Sequence, residues 1–223
     1  MSEWHDSVVA IFDIDGTLRT EPDSWLHLHQ HLGILDHGEE FFRRWSAGEI
    51  SYRQLAALDA SLWQGIDRAL MLQALDGNPV RPGACELVAW FRARGIRCIG
   101  ISTGLSLFND VTQQELGLDE VISNQLQFDD DVCTGAIVVN VEETTKADVL
   151  QDVCRRLDRN STESAVVFGD GNADLPMFEL ARVSVAVFPR SADVASRADL
   201  VVEAECLEGI CEGVEQRLLG TFL

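Results

Sequence analysis

The chain of 223 residues contains very little lysine: its 17 basic side chains comprise one lysine, Lys146, and sixteen arginines. They are outnumbered by 37 acidic side chains, which give a formal net charge of −20 at pH 7. Because so acidic a surface repels nucleic acids and anionic membranes, we expect neither as a partner.

Three other features are missing. No apolar run approaches the roughly 20 residues that a membrane-spanning helix needs. The first residues, MSEWHDS, carry acids rather than the basic segment of a secretory signal peptide. The six cysteines form no C-x-x-C pair, so their spacing fits neither a zinc site nor a disulfide framework. We therefore expect a protein of the reducing cytoplasm whose cysteines are small buried side chains.

What the chain does have is a regular alternation of helical and strand patterns from residue 80 onward. "RPGACELVAWFRARG" predicts a helix and "IRCIGIS" the strand after it, and this alternation recurs to the end of the chain. "NQLQF" and "GAIVVNV" predict a hairpin. With a first strand at residues 7–13, the order predicts an α/β protein with a Rossmann-like, doubly wound parallel sheet.

The segment between the first strand and this alternating region has a different composition, rich in Leu, Trp, His, Gln and Ala at helical spacing. We expect a small α-helical domain at residues 19–79, inserted into an α/β core formed by residues 1–18 and 80–223. Its His27, His29 and His31 are a weak metal signal, because only the first and last share a helix face. Its tryptophans are predicted to pack between helices, with Trp25 as the expected exception near the domain junction.

Acidic, hydroxyl and basic side chains follow the predicted strands at the edge where a doubly wound sheet binds its ligands. Four segments supply them: "DIDGT", "STG", the start of "KADVL", and "GDGNAD". The candidate residues are Asp13, Asp15, Ser102, Thr103, Gly104, Lys146, Asp170 and Asp174. Clustered carboxylates suit Mg²⁺, and a hydroxyl, an ammonium and backbone N–H groups suit a phosphate.

These segments resemble the four motifs of the haloacid dehalogenase superfamily, in the same order along nearly the whole chain. "DIDGT" paired with "GDGNADLPMF" is the most specific part. The run "GISTGLSLFNDVTQQELGLDEVISNQL", followed by "TTKADVL", is most similar to the phosphoserine phosphatase-like group, whose small helical cap matches the inserted segment. The resemblance implies a Mg²⁺-dependent phosphomonoester hydrolase acting on a small phosphorylated metabolite.

The resemblance also implies a role for each candidate residue. Asp13 would be the nucleophile that forms an aspartyl-phosphate, and Asp15 the general acid and base. Ser102, Thr103, Gly104 and Lys146 would bind the phosphate. Mg²⁺ would be held by Asp13, by the backbone carbonyl of Asp15, by Asp170 and, directly or through a water, by Asp174.

The chain departs from the phosphoserine enzymes in the cap. The position of their cap glutamate falls on Pro22, and that of their cap arginine falls on Asp59, where an acid would repel a substrate carboxylate. Arg43 or Arg53 could reach in from another helix turn. Two alternatives therefore stay open: a phosphomutase or phosphotransferase of the same superfamily, and a non-catalytic phosphate-binding protein.

Overall fold

The computed structural model describes residues 8–158, 162–204 and 206–220. A β-sheet lies at the centre of the fold. Within those residues the sheet has seven strands in the order β4-β3-β2-β1-β5-β6-β7. The strands are β1 Val9–Phe12, β2 Arg97–Leu105, β3 Glu120–Asp129, β4 Val132–Val138, β5 Ala165–Gly169, β6 Val183–Val187 and β7 Leu200–Val202.

All neighbouring strands are parallel except β4, which pairs antiparallel with β3. Strand β1 lies between β2 and β5, so the strand order reverses there. A crevice opens outside the carboxyl ends of the strands at such a reversal, and α/β proteins bind ligands in it. The prediction of an α/β fold with a doubly wound, mostly parallel sheet is confirmed.

Ten α-helices occur in the described part of the chain, besides short 3-10 and π-helical turns. They are α1 Ser24–His31, α2 Leu35–Ser46, α3 Tyr52–Leu62, α4 Arg68–Leu72, α5 Ala84–Arg92, α6 Ser106–Leu116, α7 Lys146–Arg156, α8 Leu175–Phe178, α9 Ala192–Ser196 and α10 Ile210–Leu218. Among the described residues, no helix has both the length and the apolar character needed to span a bilayer.

The two faces of the sheet form separate apolar clusters, because successive side chains of a strand point to opposite faces. In β1, Ala10 and Phe12 join α5 and α10 on one face. Val9 and Ile11 join α7, α8 and α9 on the other. Strand β1 is therefore buried on both sides, which fixes the position of the residues that follow it.

Helices α1 to α4, which we call the cap helices, all lie between β1 and α5 in the chain. The two connections to them run side by side, since Arg19 forms an antiparallel bridge with Val80. A third apolar cluster joins Trp63 and Met71 of the cap helices to Phe108 of α6 and Leu126 of β3. The division into two domains, at 1–18 with 80–223 and at 19–79, stays a prediction.

Some local predictions need adjustment. The hairpin exists, but β3 is longer than "NQLQF": its first half pairs parallel with β2 and only its second half pairs with β4. The hairpin turn contains Asp130 and Asp131, which both adopt positive φ. Of the six cysteines, Cys98, Cys133 and Cys154 are buried as expected, whereas Cys85 is exposed and the other two are half-buried.

Candidate active site

Three carboxylates meet at the crevice beside β1 and β5. Asp13 directly follows β1, and its N–H continues the ladder by donating to the Phe168 carbonyl at 2.9 Å. Asp170 directly follows β5, and Asp174 comes one turn later. One carboxylate oxygen from each of the three lies within 4.8 Å of the others, and all three residues are buried.

Lys146 is the ammonium of this cluster. It begins α7 and is 2% exposed, so the lone lysine of the chain is directed inward rather than into solvent. Its Nζ donates to Asp13 Oδ1 at 2.7 Å and to Asp174 Oδ1 at 2.8 Å. Burial alone would lower the pKa of Lys146, but the two carboxylates outweigh it and raise the pKa, so the side chain stays charged.

One ammonium does not balance three carboxylates. Burial, and then the charges of Asp13 and Asp174, raise the pKa of Asp170 well above its usual range. Burial also raises the pKa of Asp13, although Lys146 opposes the shift. Raised carboxyl pKa values of this origin mean that a second cation would stabilise the charged forms, and the donor set of hard carboxylate oxygens suits Mg²⁺.

The backbone of the turn after β1 is shaped to admit these carboxylates. Gly16 has φ +76°, and a Cβ there would overlap the carboxylate of Asp170. Arg81 holds the same turn from behind, donating from Nη2 to the Gly16 carbonyl at 2.6 Å and from Nε to the Thr17 carbonyl at 2.9 Å. Any residue other than glycine at position 16 would be strained and would displace Asp170.

Asp15 lies outside the three-carboxylate cluster and has a different environment. Its Oδ2 accepts a hydrogen bond from Ser24 Oγ, at the start of α1, at 2.7 Å. Burial raises the pKa of Asp15 to about 7, a shift that the Ser24 hydrogen bond opposes and the nearby Asp13 charge increases. At neutral pH Asp15 therefore holds a proton for a substantial part of the time, as a general acid must.

Asp174 anchors the loop after β5. Its Oδ2 accepts from the N–H groups of Asp170 and Gly171 at 3.0 and 3.1 Å, while Oδ1 accepts from Lys146. The side chain therefore positions Asp170 and Lys146 together, and a direct contact of Asp174 with an ion stays a prediction.

The end of β2 brings Ser102, Thr103 and Gly104 to the same crevice. The Gly104 N–H donates to Ser102 Oγ at 2.9 Å, and Thr103 lines the cavity described below. The Thr103 carbonyl accepts three donors: Trp25 Nε1 at 3.0 Å, Tyr52 Oη at 3.1 Å and Asn124 Nδ2 at 2.8 Å. We call this arrangement the Thr103 clasp; because Trp25 and Tyr52 belong to α1 and α3, it joins the cap helices to the strand end.

A cavity of about 360 Å³ extends from the carboxylate cluster to the cap helices. Its core end is formed by Asp13, Asp15, Lys146, Asp170 and Asp174. Its cap end is formed by different chemistry, with four aromatic side chains and further acids: Trp25, Phe42, Trp45, Tyr52, Asp23 and Asp59. Trp63 is fully buried, as helix packing predicts, whereas Trp45 lines the cavity instead of only packing between helices.

The two arginines that could have served in the cap point elsewhere. Arg43 forms an ion pair with Glu40 on the exposed side of α2, and Arg53 forms one with Glu142 at 2.9 Å. Their side chains are 70% and 67% exposed. Neither residue contributes to the wall of the cavity. The positive charge that an arginine at position 59 would provide is therefore not provided by Arg43 or Arg53.

The histidines also have other partners. His27 Nε2 lies 2.8 Å from the Ala74 carbonyl oxygen, His29 Nε2 lies 3.0 Å from Asp59 Oδ1, and His31 is exposed. Among the described residues, the one cluster with metal-ligand geometry is that of Asp13, Asp170 and Asp174.

Several site residues were missed from the sequence. Asn124 follows the parallel half of β3, so the strand-end argument that identified Asp13 would have found it had that half been read as a strand. Ser24 and Arg81 contact the first motif from distant segments, and no local pattern indicates them. Arg190 follows β6, and its Nε lies 3.9 Å from Asp170 Oδ2.

Comparison with known proteins identifies the family to which the chain belongs. Residues 10–179 match the family described as haloacid dehalogenase-like hydrolase. The chain therefore belongs to the haloacid dehalogenase-like hydrolases, and the prediction of a phosphatase of this superfamily is confirmed.

Individual relatives of the chain have narrower descriptions than the family. Over 186 residues it is 31% identical to the phosphoserine phosphatase of Halobacterium salinarum, covering 82% of this chain and 86% of that one. Over 172 residues it is 33% identical to the phosphoserine phosphatase of Albidiferax ferrireducens, covering 74% and 72%. A solved structure described as a phospho-aspartyl intermediate analogue of phosphoserine phosphatase superposes with a TM-score of 0.77, covering 93% of this chain and 98% of that one. At 22% identity this last likeness shows the fold alone.

Proposed function

We propose that this enzyme is a Mg²⁺-dependent phosphomonoester hydrolase that acts through an aspartyl-phosphate on Asp13. The observation that carries the proposal is the buried cluster of Asp13, Asp170 and Asp174 around Lys146, at the sheet crevice and at one end of the cavity. Such a cluster, short of positive charge, is suited to a divalent cation and a phosphoryl group together.

In the first step, an Asp13 carboxylate oxygen attacks phosphorus, and the bond from phosphorus to the ester oxygen breaks. Asp15 donates its proton to that leaving oxygen, which departs as the alcohol. In the second step, the unprotonated Asp15 takes a proton from water as the water attacks the aspartyl-phosphate, releasing inorganic phosphate and restoring Asp13. Covalent catalysis divides one difficult hydrolysis into two easier ones, and proton transfer contributes roughly 10²–10⁴-fold.

The phosphate oxygens need donors while their charge changes. Ser102 Oγ, the backbone N–H groups at Thr103 and Gly104, and Lys146 Nζ are the candidates in this chain. Their hydrogen bonds are prearranged within a buried site, where they are more effective than in water. Lys146 donates to Asp13 and Asp174, and Gly104 donates to Ser102, so both donors are kept oriented.

Mg²⁺ would be held by Asp13, Asp170 and the carbonyl of Asp15, with Asp174 contributing directly or through a water. When bound, it would offset the negative charge of the transferring phosphoryl group. The natural substrate is a small phosphorylated metabolite. The named phosphoserine phosphatase relatives support this class of substrate. The strong negative charge of the chain disfavours a nucleic acid partner, and the cysteine spacing, which fits no disulfide framework, supports a cytoplasmic enzyme.

The test uses p-nitrophenyl phosphate. We expect hydrolysis in the presence of Mg²⁺, loss of hydrolysis with EDTA, and recovery when excess Mg²⁺ is returned. Acid quenching during turnover, followed by mass spectrometry, should find a phosphoryl group on the peptide that contains Asp13. Hydrolysis that is indifferent to EDTA would contradict the metal assignment, and a phosphoryl group on another residue would contradict the nucleophile. Phosphate binding with no turnover would favour the non-catalytic alternative.

A further inference from the structure

The cap end of the cavity has a nearly continuous aromatic wall. Phe42 and Trp45, both on α2, have ring centroids 5.4 Å apart, and Trp45 lies 6.1 Å from Tyr52 of α3 in an edge-on arrangement. Trp25 completes the wall on α1. Aromatic faces attract cations through the ring quadrupole, and the attraction increases when the site is shielded from water.

Asp59 adds a buried negative charge to this wall. It is 4% exposed, and its Oδ1 lies 3.0 Å from His29 Nε2. On the other side of the ring, Trp63 Nε1 donates to His29 Nδ1 at 3.3 Å. Because an indole N–H can only donate, this contact favours the tautomer with the lone pair on Nδ1 and the proton on Nε2, from which it is donated to Asp59.

Acidic side chains also outnumber basic ones in the rest of the cavity wall. Asp23 and Glu143 also line it, while its basic residues in the described chain are Lys146 and Arg190. Lys146 is committed to Asp13 and Asp174. Arg190 lies 3.9 Å from Asp170 and donates to the Pro22 carbonyl at 3.5 Å. Burial raises the pKa of Asp59, although its contact with His29 opposes the shift. A positive group bound at the cap end would favour the charged form of Asp59.

We propose that the alcohol part of the substrate carries an ammonium group, primary or quaternary, and has no carboxylate. This rests on the proposed function and names the substrate class of the same site. The phosphate would bind at Asp13 while the ammonium lies against Trp45 and Tyr52, near Asp59. A carboxylate at that end would face acids and rings with no cation from the cap helices, so phosphoserine would bind less well than the same ester without its carboxylate. The volume of about 360 Å³ suits a small molecule of this kind.

The first arm of the test compares kcat/KM for five substrates. Phosphoethanolamine and phosphocholine carry the ammonium, phosphoserine adds the carboxylate, and 3,3-dimethylbutyl phosphate is the neutral carbon analogue of phosphocholine. p-Nitrophenyl phosphate reports the chemistry. We expect at least one ammonium ester to exceed both phosphoserine and the neutral analogue by about tenfold or more.

The second arm of the test identifies the residues that produce the preference for ammonium esters. Asp59→Asn keeps the size and the acceptor for His29 but removes the charge, and Trp45→Leu removes the ring face but keeps an apolar side chain. In each variant the preference for phosphocholine or phosphoethanolamine over the neutral analogue should fall by about fivefold or more. Asp36→Asn, an exposed acid of α2 that does not line the cavity, is the matched control and should leave the preference unchanged. Trp45→Leu keeps the test available if Asp59→Asn does not fold.

The outcomes separate this inference from the proposed function. Phosphoserine or the neutral analogue equal to or better than both ammonium esters, with p-nitrophenyl phosphate hydrolysed, would overturn the substrate class and leave the phosphatase intact. An ammonium preference that survives in both cavity variants would also overturn it. No hydrolysis of any ester, p-nitrophenyl phosphate included, would overturn the proposed function, and this inference with it.

Discussion

The two ends of the cavity are built in different ways. At the core end, Asp13 and Asp170 directly follow buried strands, so their positions are fixed by the sheet, and Lys146 is fixed by two hydrogen bonds. At the cap end, Phe42 and Trp45 project from α2, and Phe42 is 40% exposed. If the proposals above hold, the reaction depends on strand ends held by the sheet, and the choice of substrate depends on helix side chains.

The largest expected effect is at the core end. Asp13→Asn removes the proposed nucleophile and a proposed metal ligand while keeping the shape of the side chain, so turnover of every ester should fall by about 10⁴-fold or more. Steady-state rates with p-nitrophenyl phosphate and an alkyl phosphate measure the loss. Asp36→Asn on α2 is the control at a solvent-exposed acid. A variant retaining a tenth of the wild-type rate would show that Asp13 is not the nucleophile.

The next effect depends on the leaving group. Asp15→Asn cannot donate a proton, so an alkyl phosphate should be hydrolysed about 10²-fold or more slowly, with a much smaller loss for p-nitrophenyl phosphate, whose leaving group needs no proton. Equal losses on the two esters would remove the general-acid role.

The same residue predicts a pH dependence. Because the pKa of Asp15 is raised to about 7, its protonated form persists through neutral pH and is lost as the pH rises further. The rate on an alkyl phosphate should therefore decline above about pH 7, while the rate on p-nitrophenyl phosphate declines less. The pH profiles of kcat, measured for both esters under the same conditions, test this prediction. An identical decline of both rates at alkaline pH would contradict it.

A moderate effect is expected where the two ends meet, at the Thr103 clasp. Trp25→Phe and Tyr52→Phe each remove one donor to the Thr103 carbonyl but keep an aromatic ring. The carbonyl and the Gly104 N–H belong to one peptide unit, so a loosened clasp should disturb the phosphate donor as well as the cap helices. Each change should lower kcat/KM by about three- to tenfold. Trp90→Phe, on α5 beside Phe91, is the matched control.

The smallest effects concern stability rather than rate. In α2, a Cβ at Gly38 would overlap the ring of His29, so Gly38→Ala should lower the free energy of unfolding by about 1–3 kcal/mol. In α10, a Cβ at Gly213 would meet Leu200 at an ordinary 3.6 Å, so Gly213→Ala should raise it by up to about 1 kcal/mol. Urea denaturation measures both. Equal effects at the two glycines would mean that α2 does not pack against His29 as described.

The sequence predicted the core end better than the cap end, for physical reasons. Asp13 and Asp170 follow apolar strands and Ser102 lies near the end of one. Because parallel strands deliver their carboxyl ends to one edge, local patterns were sufficient. His29 and Asp59 lie on different helices and are 30 positions apart along the chain. Nothing in either segment of the sequence indicates that the two side chains are in contact. The helical periodicity of the inserted segment predicted helices but not which residues face the cavity, and α1 was not distinguished from its neighbours.

Even at the core end, the predictions stopped at residues with a recognisable local pattern. Ser24 and Arg81 hold Asp15 and the Gly16 turn, but they reach them by packing of distant segments, and their own surroundings in the sequence are ordinary. Such supporting residues are specified only by the complete fold.

The lone, buried lysine gives this enzyme an internal reporter. Protein grown with ¹⁵N-lysine would carry isotope at one side-chain nitrogen, Lys146 Nζ, which donates to both Asp13 and Asp174. A single resonance would then follow titration, ion uptake and ester binding at the centre of the molecule, with no mutation and no assignment to perform.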